Sequence, residues 1–259
     1  GSTDGTADLV ESCRDLPLRL IRQANAGAAA ARNAGIRAAT GLFCMFVDDD
    51  VLVHPDLLLE HQEAHRAHHR RLVRGPVINI PAMPVPQAPP SLWRHYSRNY
   101  LCTSNASLLR EHLLEAGLFD TTFARWEDAE LGVRLKRLGV RRHFRPQALV
   151  YHLKPPESLE TQMRTARADG RSAAALYRRY PSPAMRIRSG LHPLNLLRNG
   201  LATFGPLGCL VTRSALGQGP LPQGLARALL VEREYLRAGM QELRQERPAH
   251  EQNAATPVR

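Results

Sequence analysis

Two short acidic clusters carry the side chains best suited to chemistry in this sequence. Asp48, Asp49 and Asp50 follow the apolar run 42–47, which predicts a buried strand that delivers them to one edge of a sheet. Like charges this close need a compensating cation or hydrogen-bond donors. Because side chains alternate along an extended segment, Asp48 and Asp50 would share one side and hold a hard metal ion, while Asp49 points away. As an alternative, the same acids could cap a helix that begins near Pro55.

The second cluster is Glu127 and Asp128. Leucines at helical spacing within 129–139, followed by a glycine, predict a helix with these two acids at its N-terminus. Acids in a first turn also stabilise a helix through its dipole, so capping alone would explain them. Downstream, 148–152 predicts a short strand ending in His152, which could complete a metal site or hydrogen-bond in a core.

Seven short motifs occur in a fixed order along the first 155 residues or so. They are Asn25-Ala26-Gly27, Ala31-Arg32-Asn33-Ala34-Gly35, Phe46-Val47-Asp48-Asp49-Asp50, Ser104-Asn105-Ala106-Ser107, Gly117-Leu118-Phe119-Asp120, Trp126-Glu127-Asp128 and Val150-Tyr151-His152. Together they resemble the family 2 glycosyltransferases of GT-A-type fold. The resemblance implies an α/β fold with a Rossmann-like mixed sheet flanked by helices over residues 1–155, and leaves 156–259 as a basic, mainly helical C-terminal region.

The resemblance also assigns roles to individual side chains. Asp128 would be the catalytic base with Glu127 as its neighbour. Asp48 and Asp50 would contact Mg²⁺ or Mn²⁺ or the ribose, with His152 as an additional metal ligand. The donor-binding set would further include Asp49, Arg32, Asn33 and Asn25, and the acceptor side would include Asn105 and Trp126. The expected partners are a nucleotide sugar, UDP-linked in the first instance, and a glycan or lipid-linked acceptor, with no nucleic acid.

The chemistry of glycosyl transfer explains why both clusters are needed. A sugar hydroxyl is a poor nucleophile and a nucleoside diphosphate is a highly charged leaving group, so a general base and a cation serve opposite sides of the reaction. A base opposite the leaving group favours direct displacement with inversion at the anomeric carbon. Two other classes stay open: a metal-dependent phosphohydrolase with further metal ligands, and a non-catalytic basic module that binds membrane or nucleic acid.

Two departures from the family pattern affect these expectations. The opening Gly1–Thr6 resembles the turn after the family's second strand, so the family's first strand and first helix are expected to be missing. The segment 117–121 has one glycine before the aromatic residue and threonine after Asp120. The resemblance therefore does not extend to acceptor contacts at that segment.

A histidine-rich segment and a proline-rich stretch lie outside the motifs described above. His61, His65, His68 and His69 recur at helical spacing but do not form a zinc-protease motif, and a solvated helix is predicted for them. The proline-rich stretch 81–90 predicts an extended loop. With Trp93, Tyr96 and Tyr100 it could form an acceptor-side lip or a simple linker.

Charge is distributed unevenly along the 259 residues. Residues 1–152 carry a net +3 (19 Lys and Arg against 16 Asp and Glu), whereas residues 153–259 carry +8 (16 against 8). Nine arginines between Arg164 and Arg213 alternate with apolar stretches too short to span a bilayer. This tail could lie on an anionic membrane surface or pack as a helical appendage. Four cysteines scattered without paired spacing favour a reducing compartment. The expected location is the cytoplasm, peripheral at the inner face of the plasma membrane.

Overall fold

The computed structural model describes residues 1–86 and 99–245. The chain divides into two compact units, with the boundary between Pro156 and Glu157. We refer to them as the N-terminal unit and the C-terminal unit, and each is described separately.

The N-terminal unit alternates helices with short strands. In chain order these are α1 (Thr6–Ser12), α2 (Gly27–Ala38), β1 (Phe43–Phe46), β2 (Val51–Val53), α3 (Leu57–Ala67), β3 (Leu72–Arg74), β4 (Val77–Ile80), β5 (Ala106–Leu109), α4 (Arg110–Glu115), α5 (Glu127–Arg137), β6 (Arg142–Phe144) and β7 (Val150–Leu153). The predicted strand 42–47, helix 129–139 and strand 148–152 correspond to β1, α5 and β7.

The strands form two sheets with the orders β1-β5-β3-β6 and β2-β7-β4. Both sheets are mixed, because β3–β6 and β4–β7 are parallel pairs and the other pairs are antiparallel. In the second sheet Val51 pairs with His152, which brings the end of the first acidic cluster beside the predicted histidine. The predicted mixed sheet flanked by helices is therefore confirmed.

The core of the N-terminal unit joins β1 and β5 to α4 and α5. Leu108, Leu113, Leu131 and Leu135 are fully buried in this cluster. Burying each of these side chains contributes about 1.5–3 kcal/mol to the free energy of unfolding. This cluster therefore fixes α5 against the sheet. The backbone at Gly75, after β3, lies very close to the backbone at Ala148. A Cβ atom at position 75 would lie 1.5 Å from the carbonyl oxygen of Ala148, so only glycine fits there.

Helix α3 corrects the prediction of a solvated histidine face. His61 and His65 are only 3% and 4% exposed. His61 Nδ1 and His65 Nε2 each lie 2.7 Å from the hydroxyl of Ser107 on β5, and the ring of His65 stacks on Phe43 at 4.0 Å. Burial lowers the pKa of His65 to about 4, so this histidine is neutral and structural.

The C-terminal unit consists of helices in its described part: α6 (Leu159–Arg179), α7 (Pro183–Arg188), α8 (Pro193–Thr203), α9 (Gly205–Ala215) and α10 (Gln223–Arg244). Its predicted helical character is confirmed. The two long helices α6 and α10 cross where Gly170 meets Tyr235, since a Cβ at Gly170 would lie 2.1 Å from the Tyr235 carbonyl oxygen. Among the described helices, none combines the length and apolar character that crossing a membrane requires.

Candidate functional site

The first acidic cluster lies in the turn between β1 and β2. Strand β1 ends at Phe46, and the chain turns at Asp49 and Asp50 before β2 begins. The cluster therefore does not cap α3, whose N-cap residue is Asp56. The turn also ends the extended alternation assumed for this segment, so Asp48 and Asp50 bind different partners.

Arg32 joins the two acidic clusters. Its guanidinium donates one hydrogen bond to Asp48 Oδ1 at 3.0 Å and another to Glu127 Oε1 at 2.5 Å. The three side chains are 20%, 28% and 12% exposed, so both ion pairs are largely shielded from water. The same guanidinium lies 5.7 Å from the centre of the Phe119 ring. A cation from α2 thus holds together carboxylates that are 79 positions apart in the sequence.

Asp48 has a second partner that the sequence did not indicate. The hydroxyl of Ser104 donates to Asp48 Oδ2 at 2.5 Å, so each oxygen of Asp48 accepts a hydrogen bond. An oxygen that already accepts from a serine and an arginine is less available to a metal ion. Asp48 consequently fits a fixed acceptor at the wall of the site better than it fits a metal ligand.

The second cluster occupies the first turn of α5. The helix starts after Trp126, whose φ of 66° is in the left-handed region, and the Trp126 carbonyl accepts the Glu130 amide at 2.9 Å. Burial and, after it, the charge of Glu127 raise the pKa of Asp128 to about 6, against the lowering influence of the Ala129 backbone amide and nearby Arg32. A carboxylate in this range is ionised at neutral pH and basic enough to accept a proton.

Buried Arg74, on β3, also acts on this cluster. It is 3% exposed, and its charge is one of the influences that lower the pKa of Asp128. Its guanidinium donates to the carbonyl of Asn99. No local pattern in the sequence indicates this role, because an arginine in a short strand is usually exposed.

Asp50 and His152 form a pair at the open end of the site. Asp50 Oδ2 lies 3.0 Å from His152 Nε2, and Asn79 Oδ1 lies 2.9 Å from His152 Nδ1. With an amide oxygen at Nδ1, a neutral ring would carry its proton there and turn the Nε2 lone pair toward the carboxylate. Two facing acceptors repel unless a proton or a cation lies between them.

A divalent cation fits this pair. Carboxylate oxygen and imidazole nitrogen both bind Mn²⁺, and two ligand atoms about 3 Å apart suit neighbouring positions around an ion with bonds of about 2.1 Å. Asn79 supplies the outer hydrogen bond that typically orients a metal-binding histidine. Within residues 1–86 and 99–245 no group of three or more acidic, histidine or cysteine side chains is placed to hold a metal, so further ligands would come from substrate or water.

Asn33 does not face the predicted nucleotide pocket. It is 5% exposed, and its amide exchanges two hydrogen bonds with the backbone of Phe119, at 2.8 Å to the carbonyl and 2.9 Å from the amide. The preceding residue, Leu118, has a φ of 66°, which a leucine rarely adopts. Asn33 therefore stabilises the loop that carries Phe119, and its donor-binding role stays a prediction.

Asn105 is likewise removed from the acceptor side. Its side chain is fully buried, donates to the carbonyls of Pro76 and Ala148, and meets His61 Nε2 at 2.9 Å. All its polar atoms are used inside the protein, where they join the backbones before β4 and β7. No surface of Asn105 is left for a substrate.

The remaining predicted positions lie in places open to ligands. Asn25 is exposed, accepts the Gly27 amide at 3.1 Å, and lines a cavity of about 320 Å³ at the start of α2. Asp49 is exposed, and Trp126 is half-buried beside the second cluster. Of the aromatic lip, Trp93 and Tyr96 lie outside the described residues. Tyr100 packs inward, with its hydroxyl donating to the Val140 carbonyl.

Comparison with known proteins gives one family match. Residues 1–116 match the model of the family described as Glycosyl transferase family 2. Among curated proteins, the chain is 24% identical over 223 residues to the uncharacterized glycosyltransferase YfnE of Bacillus subtilis, covering 62% of this chain and 57% of YfnE. It is 46% identical over 59 residues to the uncharacterized glycosyltransferase YibD of Escherichia coli, covering 22% of this chain and 17% of YibD. The chain thus spans little more than half of YfnE.

Solved structures resemble the chain over most of its length. A mannosyltransferase from Pyrobaculum calidifontis, in complex with GDP-Man and Mn²⁺, aligns with a TM-score of 0.63 and 19% identity, covering 95% of this chain and 76% of that one. Residues 1–349 of TarS from S. aureus, in complex with UDP, align with a TM-score of 0.51 and 18% identity, covering 100% and 81%. These likenesses confirm the predicted GT-A-type fold.

Proposed function

We propose that the chain transfers a sugar from a nucleoside-diphosphate sugar to a hydroxyl acceptor with inversion, a proposal supported by the match of residues 1–116 to the Glycosyl transferase family 2 model. The observation that carries the proposal is the Arg32 bridge, because it joins the candidate metal-side cluster to the cluster that contains the candidate base. The family match alone would leave open whether the two clusters cooperate.

We propose Asp128 as the base that takes the acceptor's proton. Its raised pKa of about 6 supports this role, since a base is most effective when its pKa lies near the working pH. Glu127 is held by its ion pair with Arg32. Two adjacent carboxylates then serve different purposes because their surroundings differ. With the leaving group on the opposite side, displacement in one step gives inversion.

We propose that Asp50 and His152 hold Mg²⁺ or Mn²⁺, with Asn79 orienting the histidine. A bound cation would neutralise the diphosphate leaving group. The described side chains supply two ligands here, so diphosphate oxygens and water would complete the set. The mannosyltransferase neighbour was solved with Mn²⁺ and GDP-Man, which supports the metal and the donor class.

We propose that Asp48 and the cavity beside Asn25 bind the nucleoside part of the donor. Arg32 lies one turn beyond the start of α2, and its guanidinium is placed to meet a phosphate if it leaves Glu127. UDP bound to the TarS neighbour makes a UDP-sugar the first donor to test. The acceptor is proposed to be a glycan or a lipid-linked sugar, met at the cytoplasmic face of the plasma membrane.

Among the described residues, the lack of a third metal ligand disfavours the alternative of a metal-dependent phosphohydrolase, which would activate water at a fuller ligand set. The experiment that separates the two is a panel of UDP- and GDP-sugars, with Mn²⁺ or with chelator, in the presence and absence of sugar acceptors. We expect acceptor-dependent release of nucleoside diphosphate. Release at the same rate without any acceptor, and with no transferred sugar, would favour hydrolysis.

A further inference from the structure

The outer surface of α8 is apolar. Leu194, Leu197, Leu201 and Phe204 are 67%, 61%, 70% and 70% exposed. Their spacing of three, four and three places the three leucines on one face of the helix, with Phe204 at its C-terminal end. We call these four residues the α8 ridge. They are among the most exposed large apolar side chains of the described residues.

The inner face of α8 includes two buried polar residues, whereas most helices on a protein in water turn mainly apolar side chains inward. Asn199 and Thr203 are 3% and 4% exposed. Asn199 donates to the Leu229 carbonyl and to Glu232, both at 3.1 Å, and the Thr203 hydroxyl donates to the Asn199 carbonyl at 2.8 Å. These hydrogen bonds hold α8 to α10, together with Leu196, which packs on a cluster that includes Leu236 of α10. The other three leucines of α8 are left for another surface.

Neighbouring α9 also packs one face on α10 and leaves the opposite face exposed. Its Val211 and Ala215 pack against Ala226 and Leu230 of α10, so its opposite face, with exposed Arg213, points away from α10. Because α8 and α9 meet at Phe204 and both pack inward on α10, the α8 ridge and Arg213 lie on the outer side of these helices.

The segment that contains this surface has no acidic residue. Between Asp169 and Glu232 the chain has eight arginines and no Asp, Glu or Lys. Two of the arginines, Arg178 and Arg198, pair with carboxylates of α10, namely Glu242 and Glu232. The outer side therefore carries the apolar α8 ridge and the exposed Arg213, in a segment whose charged residues are all arginine.

From this combination we infer that the α8 ridge and Arg213 bind the surface of an anionic lipid bilayer. The leucines and Phe204 enter the boundary between headgroups and acyl chains, while guanidinium groups contact lipid phosphates. A second copy of the chain is a poorer occupant, because two such surfaces would oppose arginine with arginine. The inference concerns attachment and does not depend on the proposed transfer reaction.

The test is sedimentation of the whole chain with vesicles of phosphatidylcholine alone or mixed with phosphatidylglycerol, at low and high salt. We expect binding to the mixed vesicles that weakens with salt. The double variant Leu197→Ser/Leu201→Ser should bind at least about tenfold less, because each lost leucine removes buried apolar area. The matched control is Leu9→Ser/Leu58→Ser, whose leucines are 67% and 72% exposed in the N-terminal unit. It should bind as the parent does.

A charge variant separates the two contributions. Arg213→Gln should lower binding about fivefold at low salt and have little effect at high salt. Binding that is absent from mixed vesicles at low salt, or equally reduced in the ridge and control variants, overturns the inference. The inference is also overturned if sedimentation velocity shows that the parent is a dimer and the ridge variant is not, while both bind vesicles equally. Donor turnover in solution should be equal in the parent and the ridge variant, so failure here is distinguishable from failure of the proposed reaction.

Discussion

The two acidic clusters of the N-terminal unit contain the same kind of side chain in contrasting surroundings. Asp48 and Asp50 lie in a turn between strands, and Asp50 is 52% exposed beside His152. Glu127 and Asp128 lie in the first turn of a helix, where burial raises the pKa of Asp128 to about 6. An exposed carboxylate facing a histidine suits a cation, whereas a buried one suits a proton. The surroundings of these carboxylates, more than their residue type, decide which role each one suits.

Arg32 makes the two clusters dependent on each other. It pairs with one carboxylate of each cluster and leaves Asp50 and Asp128 without an arginine hydrogen bond in the contacts described above. The pairing fixes the clusters and leaves these two acids for chemistry. Five predictions test this division, beginning with the strongest effect.

Replacing Asp128 should have the largest effect. Asp128→Asn keeps the size of the side chain and the oxygen that accepts the Ala129 amide, but removes the basicity. We expect turnover to fall about 10³-fold while donor affinity is retained, measured by steady-state kinetics and calorimetry. A variant that keeps most of its turnover, with loss in Glu127→Gln instead, would move the base to Glu127.

Replacing Asp50, the carboxylate on the metal side, should have the second largest effect. Asp50→Ala deletes one of the two proposed ligands, so Mn²⁺-dependent donor affinity should fall about 100-fold. The fold should be unaffected, because Asp50 is largely exposed. Calorimetric titration of donor with Mn²⁺ and with chelator measures the effect. Equal affinity for parent and variant in Mn²⁺ would show that Asp50 does not hold the ion.

The pH profile should report on Asp128. As a base it acts only when ionised, so kcat/KM should be level above pH 6 and fall about tenfold per pH unit below about 6. Since the charge of Glu127 raises the pKa of Asp128, Glu127→Gln should move the acid limb to lower pH. An acid limb that stays in place in this variant would mean that another group controls the profile.

Removing the hydrogen bond between Asn79 and His152 should have a smaller effect. Asn79→Ala removes the acceptor at Nδ1, and such outer partners typically change metal affinity or activity about tenfold. We expect a rise of that size in the Mn²⁺ concentration needed for half-maximal donor binding. Asn79 is exposed on β4, so melting temperature serves as the control for folding.

Asp49 should be the least sensitive acid of its cluster. It is exposed in the turn and accepts no hydrogen bond among the contacts described for residues 1–86 and 99–245. We expect Asp49→Ala to change donor affinity and turnover by less than about threefold. A loss as large as that of Asp50→Ala would mean that the turn rearranges when donor binds and presents Asp49 instead.

Local patterns in the sequence predicted the elements that carry the site. The apolar run before Asp48 became β1, and the leucine spacing after Asp128 became α5, because each follows from neighbouring residues. The buried roles of Asn33 and Asn105 could not be predicted in this way. Their partners, Phe119 and His61, are 86 and 44 positions away, and nothing near an asparagine distinguishes a buried brace from a ligand contact.

The same limit applies to the centre of the site. The family pattern brought Arg32 into consideration, but its bridge between Asp48 and Glu127 depends on how α2 and α5 pack in three dimensions. Ser104, Asn79 and Arg74 lie in segments whose sequence reads as ordinary strand or loop. Their contribution comes from the pairing of β3, β4 and β5 with neighbouring strands, which the sequence does not state.

The burial of Asp128 also has a consequence for the energetics of folding. An aspartate with an ordinary pKa of 3.8 in the unfolded chain and about 6 in the folded one binds its proton more tightly when folded. Folding is therefore favoured at low pH by this group, and that advantage disappears as pH rises from about 4 through 6. At neutral pH the folded state carries a penalty on the order of 3 kcal/mol from this carboxylate. The protein retains at this position an acid that works against its own stability.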